Sequence, residues 1–128
     1  MKLKAPPIPK PKESEVQQAI KDALVAAGFT VRHTSAFRQK APSGVDKGIP
    51  DLLVFHPSYP GWYLGMEVKT DVGKPTPEQK IAMAAGEYPI VRKPSEALYW
   101  AEANFPNLTS AELAKVSTMA DKLRKVGQ

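Results

Sequence analysis

The sequence predicts a single α/β domain in which helices cover a mixed β-sheet, and three observations support this fold class. Short apolar runs of β-prone residues alternate with longer segments of helical periodicity, in the order α-β-β-β-α-β-α-α. At 128 residues the chain is long enough for one domain with a core and too short for two. Its hydrophobic fraction of 42% is ordinary for a globular protein, which argues against wholesale disorder.

Residues 1–12 (MKLKAPPIPKPK) are predicted to form a basic, proline-rich tail that precedes the domain. Prolines at this density exclude a helix and favour an extended, solvated chain. The tail has two compatible interpretations. One is a disordered tail and the other is a basic arm that follows a phosphate backbone, and both can hold together.

The first helix is predicted from Glu13 to about Ala27, and Gly28 follows it at the position of a C-terminal cap. Four short strands are predicted, at residues 29–32, 51–55, 63–69 and 90–92. The connection at 56–62 (HPSYPGW) is rich in proline and contains a glycine. This composition favours a hairpin between the second and third strands.

The remaining helices are predicted from their capping residues. Thr76 opens the second helix, and Gln79 completes a T-x-x-Q capping box with it. Ser95 is predicted to cap a third helix. A last helix, capped at Thr109 or Ser110, carries an apolar stripe of four residues: Leu113, Val116, Met119 and Leu123.

The formal net charge of +5 suits a polyanionic partner. The stretch at 33–48 is polar and basic with little periodicity, so it is predicted to be a basic loop or an irregular hairpin. Five basic residues are candidate DNA contacts: Arg32, Arg38, Lys40, Lys47 and Lys74.

The chain contains no cysteine. This excludes a disulfide framework, a thiolate zinc site and a cysteine nucleophile, and it fits a reducing cytosol. No apolar run approaches the ~20 residues that span a bilayer. No apolar stretch follows the N-terminal lysines, as a signal peptide would require. We therefore expect a cytoplasmic protein without a membrane partner.

Two acidic residues and a lysine stand at the ends of two predicted strands. Glu67 and Lys69 are separated by one residue, so their side chains project from one face, about 7 Å apart. Asp51 begins the preceding strand, and hairpin pairing can bring it close to Glu67. Two carboxylates offer a hard oxygen site for Mg²⁺ or Mn²⁺, and the lysine can stabilise developing negative charge, as phosphodiester hydrolysis requires. A Glu–Lys pair alone is more commonly a solvated surface pair, but an aspartate beside a buried strand is costly unless something binds it.

The ordered motifs GIPD at 48–51, EVKT at 67–70 and G-x-x-T-x-x-Q at 73–79 resemble the PD-(D/E)xK nuclease superfamily, specifically its VRR-NUC branch. The resemblance covers about residues 13–97. It implies a restriction-endonuclease-like α-β-β-β-α-β core, a mixed sheet flanked by helices, with extra C-terminal helices. Residues 13–105 would be the nuclease domain and 106–128 the C-terminal helix. It also implies DNA cleavage dependent on Mg²⁺ or Mn²⁺ in a homodimer similar to Holliday-junction resolvases.

The resemblance further implies roles for single residues. The metal would be bound by two side chains and one backbone carbonyl, those of Asp51, Glu67 and Val68. Lys69 would assist catalysis, and Gln79 would complete the site. The capping box explains Gln79 equally well, and one side chain is not expected to serve both purposes.

An acidic residue on the first helix is also implied, and Glu13 and Glu15 are the candidates. Helical phase places Glu13 on the side of the apolar stripe and Glu15 on the opposite face, which favours Glu13. A capping box of Ser14 with Gln17 would instead leave Glu13 just outside the helix. Favourable charge at a helix N-terminus explains either glutamate without catalysis.

Other functions remain open at this point. One is a flap- or end-directed nuclease with the same site, and another is a non-catalytic basic DNA-binding module. The second gives no reason for Asp51, Glu67 and Lys69 to occur together in register. In a homodimer, two symmetric sites would cut both strands of a junction. The apolar stripe of the last helix offers an interface, unless that stripe packs against its own sheet.

Overall fold

The computed structural model describes residues 11–34 and 49–128. Four helices flank a four-stranded mixed sheet in this part of the chain. The helices are α1 (Glu13–Ala26), α2 (Pro77–Ala84), α3 (Pro94–Asn104) and α4 (Ser110–Lys125). The strands are β1 (Thr30–His33), β2 (Leu52–Phe55), β3 (Leu64–Val68) and β4 (Ile90–Val91). The predicted α/β class and the predicted order of elements are confirmed.

The strands lie side by side in the order β1-β2-β3-β4. The pairs β1–β2 and β2–β3 are antiparallel, which confirms the predicted hairpin, and β4 runs parallel to β3. Leu52 pairs with Met66, so the register continues with Asp51 opposite Glu67 just beyond the end of β2. All five residues of β3 are buried, because this central strand has neighbours on both sides and is covered on both faces.

The start of α1 differs from the capping box predicted for Ser14 and Gln17. Lys12 is the N-cap, and its backbone N–H donates to Oε2 of Glu15 at 3.2 Å. Glu13 is consequently the first residue of the helix and does not lie outside it. At the other end Gly28 has a φ of 104°, in the left-handed region that ends helices, as predicted.

The start of α3 also corrects a prediction. Lys93 is the N-cap and Pro94 is the first helical residue, where its fixed φ is favourable. Ser95 is not the cap, because it lies inside the first turn and is buried. The predicted caps of α2 and α4 are confirmed, since Thr76 and Thr109 each accept a hydrogen bond from the backbone N–H three residues later.

The apolar stripe of α4 packs against the main core. Val116 is 1% exposed, and the other three residues of the stripe lie partly buried against the same cluster. Ser117 donates a 3.0 Å hydrogen bond to Glu102 of α3. The chain's own core therefore covers much of this stripe, as the alternative of packing within the chain predicts.

A buried histidine connects α4 to the loop that follows β2. His56 is 7% exposed and its ring packs edge-on against Phe29, with 5.2 Å between ring centroids. Its Nδ1 accepts a hydrogen bond from the backbone N–H of Ser58 at 3.1 Å, and its Nε2 lies 3.1 Å from Oε2 of Glu112. This histidine is a structural link between two elements that are distant in sequence.

No helix in residues 11–34 and 49–128 combines the length and the apolar character needed to cross a membrane.

Candidate functional site

Three carboxylate groups converge at one end of the β2–β3 pair. They belong to Glu13, Asp51 and Glu67, and one oxygen of each lies within 4.8 Å of the other two. Within residues 11–34 and 49–128 no other group of three possible metal ligands is this close. Glu67 is 1% and Asp51 7% exposed, while Glu13 is partly buried. Like charges this close in a poorly hydrated site repel each other, so the arrangement favours a bound counter-charge.

Three separate elements place these carboxylates. Glu13 is the first residue of α1, Asp51 immediately precedes β2, and Glu67 is the fourth residue of β3. Asp51 is oriented by the backbone N–H of Val68, which donates to its Oδ2 at 2.8 Å. The residue after β1 also holds Asp51, because the N–H of Thr34 donates a 3.0 Å hydrogen bond to the carbonyl oxygen of Asp51.

Glu67 has two donors beside one of its oxygens. The side-chain amide of Gln79 donates to Oε1 at 2.7 Å, and Nζ of Lys69 lies 4.0 Å from the same atom. Lys69 immediately follows β3, and its side chain is 13% exposed. The structure thus brings an ammonium group and an amide to the buried carboxylate that β3 supplies.

Gln79 makes both of the contacts that were treated as alternatives, one within the helix cap and one to Glu67. Its Oε1 accepts a 2.9 Å hydrogen bond from the backbone N–H of Thr76, which completes the capping box of α2. Its Nε2 donates to Glu67. The expectation that one side chain would not make both is wrong, because the cap uses only the oxygen of the amide and the site uses only the nitrogen.

The two glutamates at the start of α1 are separated by the structure. Glu13 belongs to the carboxylate cluster. Glu15 is exposed and accepts a hydrogen bond from the Lys12 backbone. The interpretation without catalysis, favourable charge at a helix N-terminus, therefore suffices for Glu15, whereas Glu13 lies beside the carboxylates of Asp51 and Glu67.

Two of the predicted DNA contacts are described, and both are exposed. Arg32 pairs with Leu53, and since alternate residues share a face, it lies on the same face of the sheet as Asp51. Lys74 lies in the connection between β3 and α2. Other predictions fall outside the described residues: the contacts Arg38, Lys40 and Lys47, and residues 1–10 of the basic tail.

His33 lies near the cluster, although nothing in its sequence context assigned it there. It pairs with Leu52, the residue after Asp51. Burial is the main cause that lowers the pKa of His33, the Lys21 ammonium lowers it further, and the Asp51 carboxylate opposes both. Only the strand register, a non-local property, could have located this histidine.

The donor set decides which cofactors this site suits. Three carboxylates are hard oxygen ligands, which favour Mg²⁺ or Mn²⁺ over metals that prefer sulfur or imidazole. Comparison with known proteins finds no matching family model, no matching curated protein and no matching solved structure. The chemistry of the site is therefore the basis for assigning a function.

Proposed function

We propose that the protein is a metal-dependent nuclease that hydrolyses phosphodiester bonds of DNA, with a preference for branched substrates such as Holliday junctions. One observation carries the proposal. The carboxylates of Glu13, Asp51 and Glu67 lie within 4.8 Å of one another, and the Lys69 ammonium lies 4.0 Å from Glu67. A restriction-endonuclease-like core is part of the proposal, and the element order α1-β1-β2-β3-α2-β4 supports it.

Mg²⁺ or Mn²⁺ fits the residues that are present. Three carboxylates would hold the ion and relieve their mutual repulsion. The carbonyl of Val68 is a further candidate ligand. Its N–H points to Asp51, and the N–H and C=O of one strand residue point to the same side. A bound ion would supply charge neutralisation at the phosphate and a lowered pKa for water.

The chain's own groups would orient and stabilise the reacting phosphate. The Lys69 ammonium would donate to an oxygen that gains negative charge in the transition state, where a fixed donor is most effective. Gln79 would fix the orientation of Glu67 through its 2.7 Å hydrogen bond. The Val68 N–H would do the same for Asp51. Asp51 and Glu67 thus each have a neighbour that restricts their movement.

DNA binding would rest on contacts to phosphates rather than to bases. Arg32 and Lys74 are exposed, and the whole chain carries a net charge of +5. The contacts predicted at Arg38, Lys40 and Lys47 belong to the same proposal. Such contacts are independent of sequence, which suits an enzyme that selects the shape of DNA. We place this activity in the cytoplasm.

A homodimer remains part of the proposal, because two symmetric sites could incise both strands of a junction in one complex. The interface would have to use a surface other than the covered stripe of α4. Sedimentation at micromolar concentration measures the oligomer directly. A monomer that makes paired incisions would contradict the dimer.

The function is tested with purified protein, four-way junctions, flaps and linear duplex, each with Mg²⁺, Mn²⁺ or a chelator. Asp51→Asn and Glu67→Gln remove charge with little change in volume. Each should lower the cleavage rate at least about a hundredfold, because a metal supplies several kcal/mol of transition-state stabilisation. The control Asp121→Asn changes an exposed acid on α4, away from the carboxylate cluster, and should be active.

Each result selects one function. Near-normal cutting by Asp51→Asn or Glu67→Gln, or cutting in the chelator, would refute the assignment of the site. Cutting restricted to flaps or ends would favour the alternative nuclease. Binding of DNA without cutting by the unmodified protein would favour the non-catalytic module.

A further inference from the structure

The chain makes a tight turn, residues 70–73, directly after Lys69. The backbone N–H of Gly73 donates to the carbonyl of Thr70 at 3.1 Å, which closes the turn. Nη1 of Arg92 donates to the carbonyl oxygens at both ends of this turn. One acceptor is the carbonyl of Thr70, and the other, at 2.9 Å, is the carbonyl of Gly73. A single guanidinium therefore ties the two ends of this turn together.

The turn lies against the side chain of Lys69. A Cβ atom placed on Gly73 would lie 3.4 Å from Cβ and 3.4 Å from Cδ of Lys69, so the glycine backbone packs along the aliphatic part of the lysine. The backbone N–H of Lys69 donates to the carbonyl of Val91 at 3.1 Å. Val91 immediately precedes Arg92. Two adjacent residues therefore restrain Lys69, since Val91 binds its backbone and Arg92 binds the turn that lies beside its side chain.

Arg92 is itself restrained. Its backbone N–H donates to Oε1 of Glu96, in the first turn of α3, at 2.8 Å. The residue is partly buried, and its planar guanidinium presents donors in a fixed geometry that lysine does not reproduce. The contacts of Arg92 are thus directed at the turn and at α3.

We propose that Arg92 is a positioning residue that acts through Lys69. By holding turn 70–73 against the lysine, it keeps the ammonium beside Glu67, where the two groups lie 4.0 Å apart. This inference rests on the proposed function, in which Lys69 stabilises the negative charge that develops during cleavage. A lysine free to change rotamer spends less time in the productive geometry, so turnover falls. DNA binding does not depend on that geometry.

The test compares Arg92→Ala with the matched control Arg124→Ala. Arg124 is exposed on α4 and pairs with Asp121. In the absence of DNA and metal, hydrogen exchange at the Gly73 amide should accelerate at least about tenfold in Arg92→Ala, because an unclamped turn opens more often. With DNA and Mg²⁺, its kcat should fall at least about tenfold, while KM and Kd change less than about threefold. Arg124→Ala should match the unmodified protein in all four measurements.

Arg92→Lys separates the geometry of the clamp from its charge. The kcat of this variant should remain well below that of the unmodified protein, because one ammonium does not reproduce the planar guanidinium. Normal turnover in this variant would overturn the inference, and so would unchanged exchange at Gly73. The folded fraction of Arg92→Ala is measured by circular dichroism under assay conditions. If the loss of kcat is no larger than the loss of folded protein, the inference is also overturned.

The failure of this inference is distinct from the failure of the proposed function. If the unmodified protein cuts no DNA, the proposed function fails and the role of Arg92 fails with it. If the unmodified protein cuts and Arg92→Ala cuts equally well, the inference alone is wrong.

Discussion

The side-chain amide of Gln79 bridges Glu67 and the start of α2. Its nitrogen donates to Oε1 of Glu67 at 2.7 Å, and its oxygen accepts from the backbone N–H of Thr76 at 2.9 Å. Because an amide has one donor end and one acceptor end, exchanging the two ends would lose both bonds. A change at this position should consequently affect the helix and the carboxylate together.

Replacement of Gln79 can be compared with replacement of Thr76, its partner in the cap. Gln79→Ala and Thr76→Ala should each lower the free energy of unfolding by about 1 kcal/mol, since each removes part of the cap. Only Gln79→Ala should also slow cleavage, by about ten- to a hundredfold, because it frees Glu67 to reorient. Urea unfolding and single-turnover cleavage measure the two effects. Equal losses of cleavage in both variants would show that Gln79 acts only as a cap.

The glutamates at the start of α1 form a second matched pair. Glu13→Gln should weaken Mn²⁺ binding and slow cleavage, because it removes one of three carboxylates within 4.8 Å. Glu15→Gln should do neither, since glutamine still offers an oxygen to the Lys12 backbone. Calorimetric titration with Mn²⁺ measures binding without the need for DNA. A larger loss in Glu15→Gln would contradict the placement of the site.

Lys69 and Lys74 should give opposite kinetic signatures. Lys69→Ala should lower kcat at least about a hundredfold and leave DNA affinity nearly unchanged, because the charge that it stabilises appears only in the transition state. Lys74→Ala should weaken binding and reduce the salt dependence by about one phosphate contact. Fluorescence anisotropy at several salt concentrations and saturating cleavage assays separate the two. If Lys69→Ala cuts normally once saturated, this lysine is only a phosphate contact.

Glu112 should make the fold sensitive to acid. Its pKa is lowered from the usual 4.5 by the backbone N–H and then by the hydroxyl of Thr109, with a smaller effect from His56, while burial opposes these causes. A folded-state pKa below the unfolded one stabilises the fold above the unfolded pKa, and this stabilisation is lost as pH falls through the folded value. In urea unfolding at pH 7, the unmodified protein should have a larger free energy of unfolding than the Glu112→Gln variant. This difference should vanish in acid. A difference that grows on acidification would contradict this assignment.

The helix boundaries show how far local sequence signals reach. Thr76 is predicted as a cap because Gln79, three residues later, completes a capping box, and the structure has this box. For the last helix the sequence offers Thr109 and Ser110 as alternatives, and the structure has Thr109 as the cap. The same local pattern misled at Ser14, where the Lys12 N–H and Glu15 form the pair instead. The pairs Ser14–Gln17 and Lys12–Glu15 both have the three-residue spacing of a capping box. Local sequence alone therefore does not determine which pair begins the helix.

The parts of the site that follow from regular helix and strand geometry could be predicted. The proximity of Asp51 and Glu67 could be predicted because the hairpin register determines which residues oppose each other. The clamp on Gly73 could not be predicted, because Arg92 lies 19 residues away, directly after a strand of only two residues. Contacts of this kind depend on how the connection through α2 brings β4 beside β3. No local pattern in the sequence encodes that placement.

A chain cut after residue 105 should become a target for proteases and for self-association. Without α4, the face of α3 that carries Ala97, Leu98 and Ala101 would lose part of its cover. His56 would lose its neighbour Glu112 and stay behind in an apolar setting beside Phe29. Apolar surface uncovered in this way promotes aggregation. We therefore expect the last helix to protect the folded chain, although it contributes no carboxylate to the cluster of Glu13, Asp51 and Glu67.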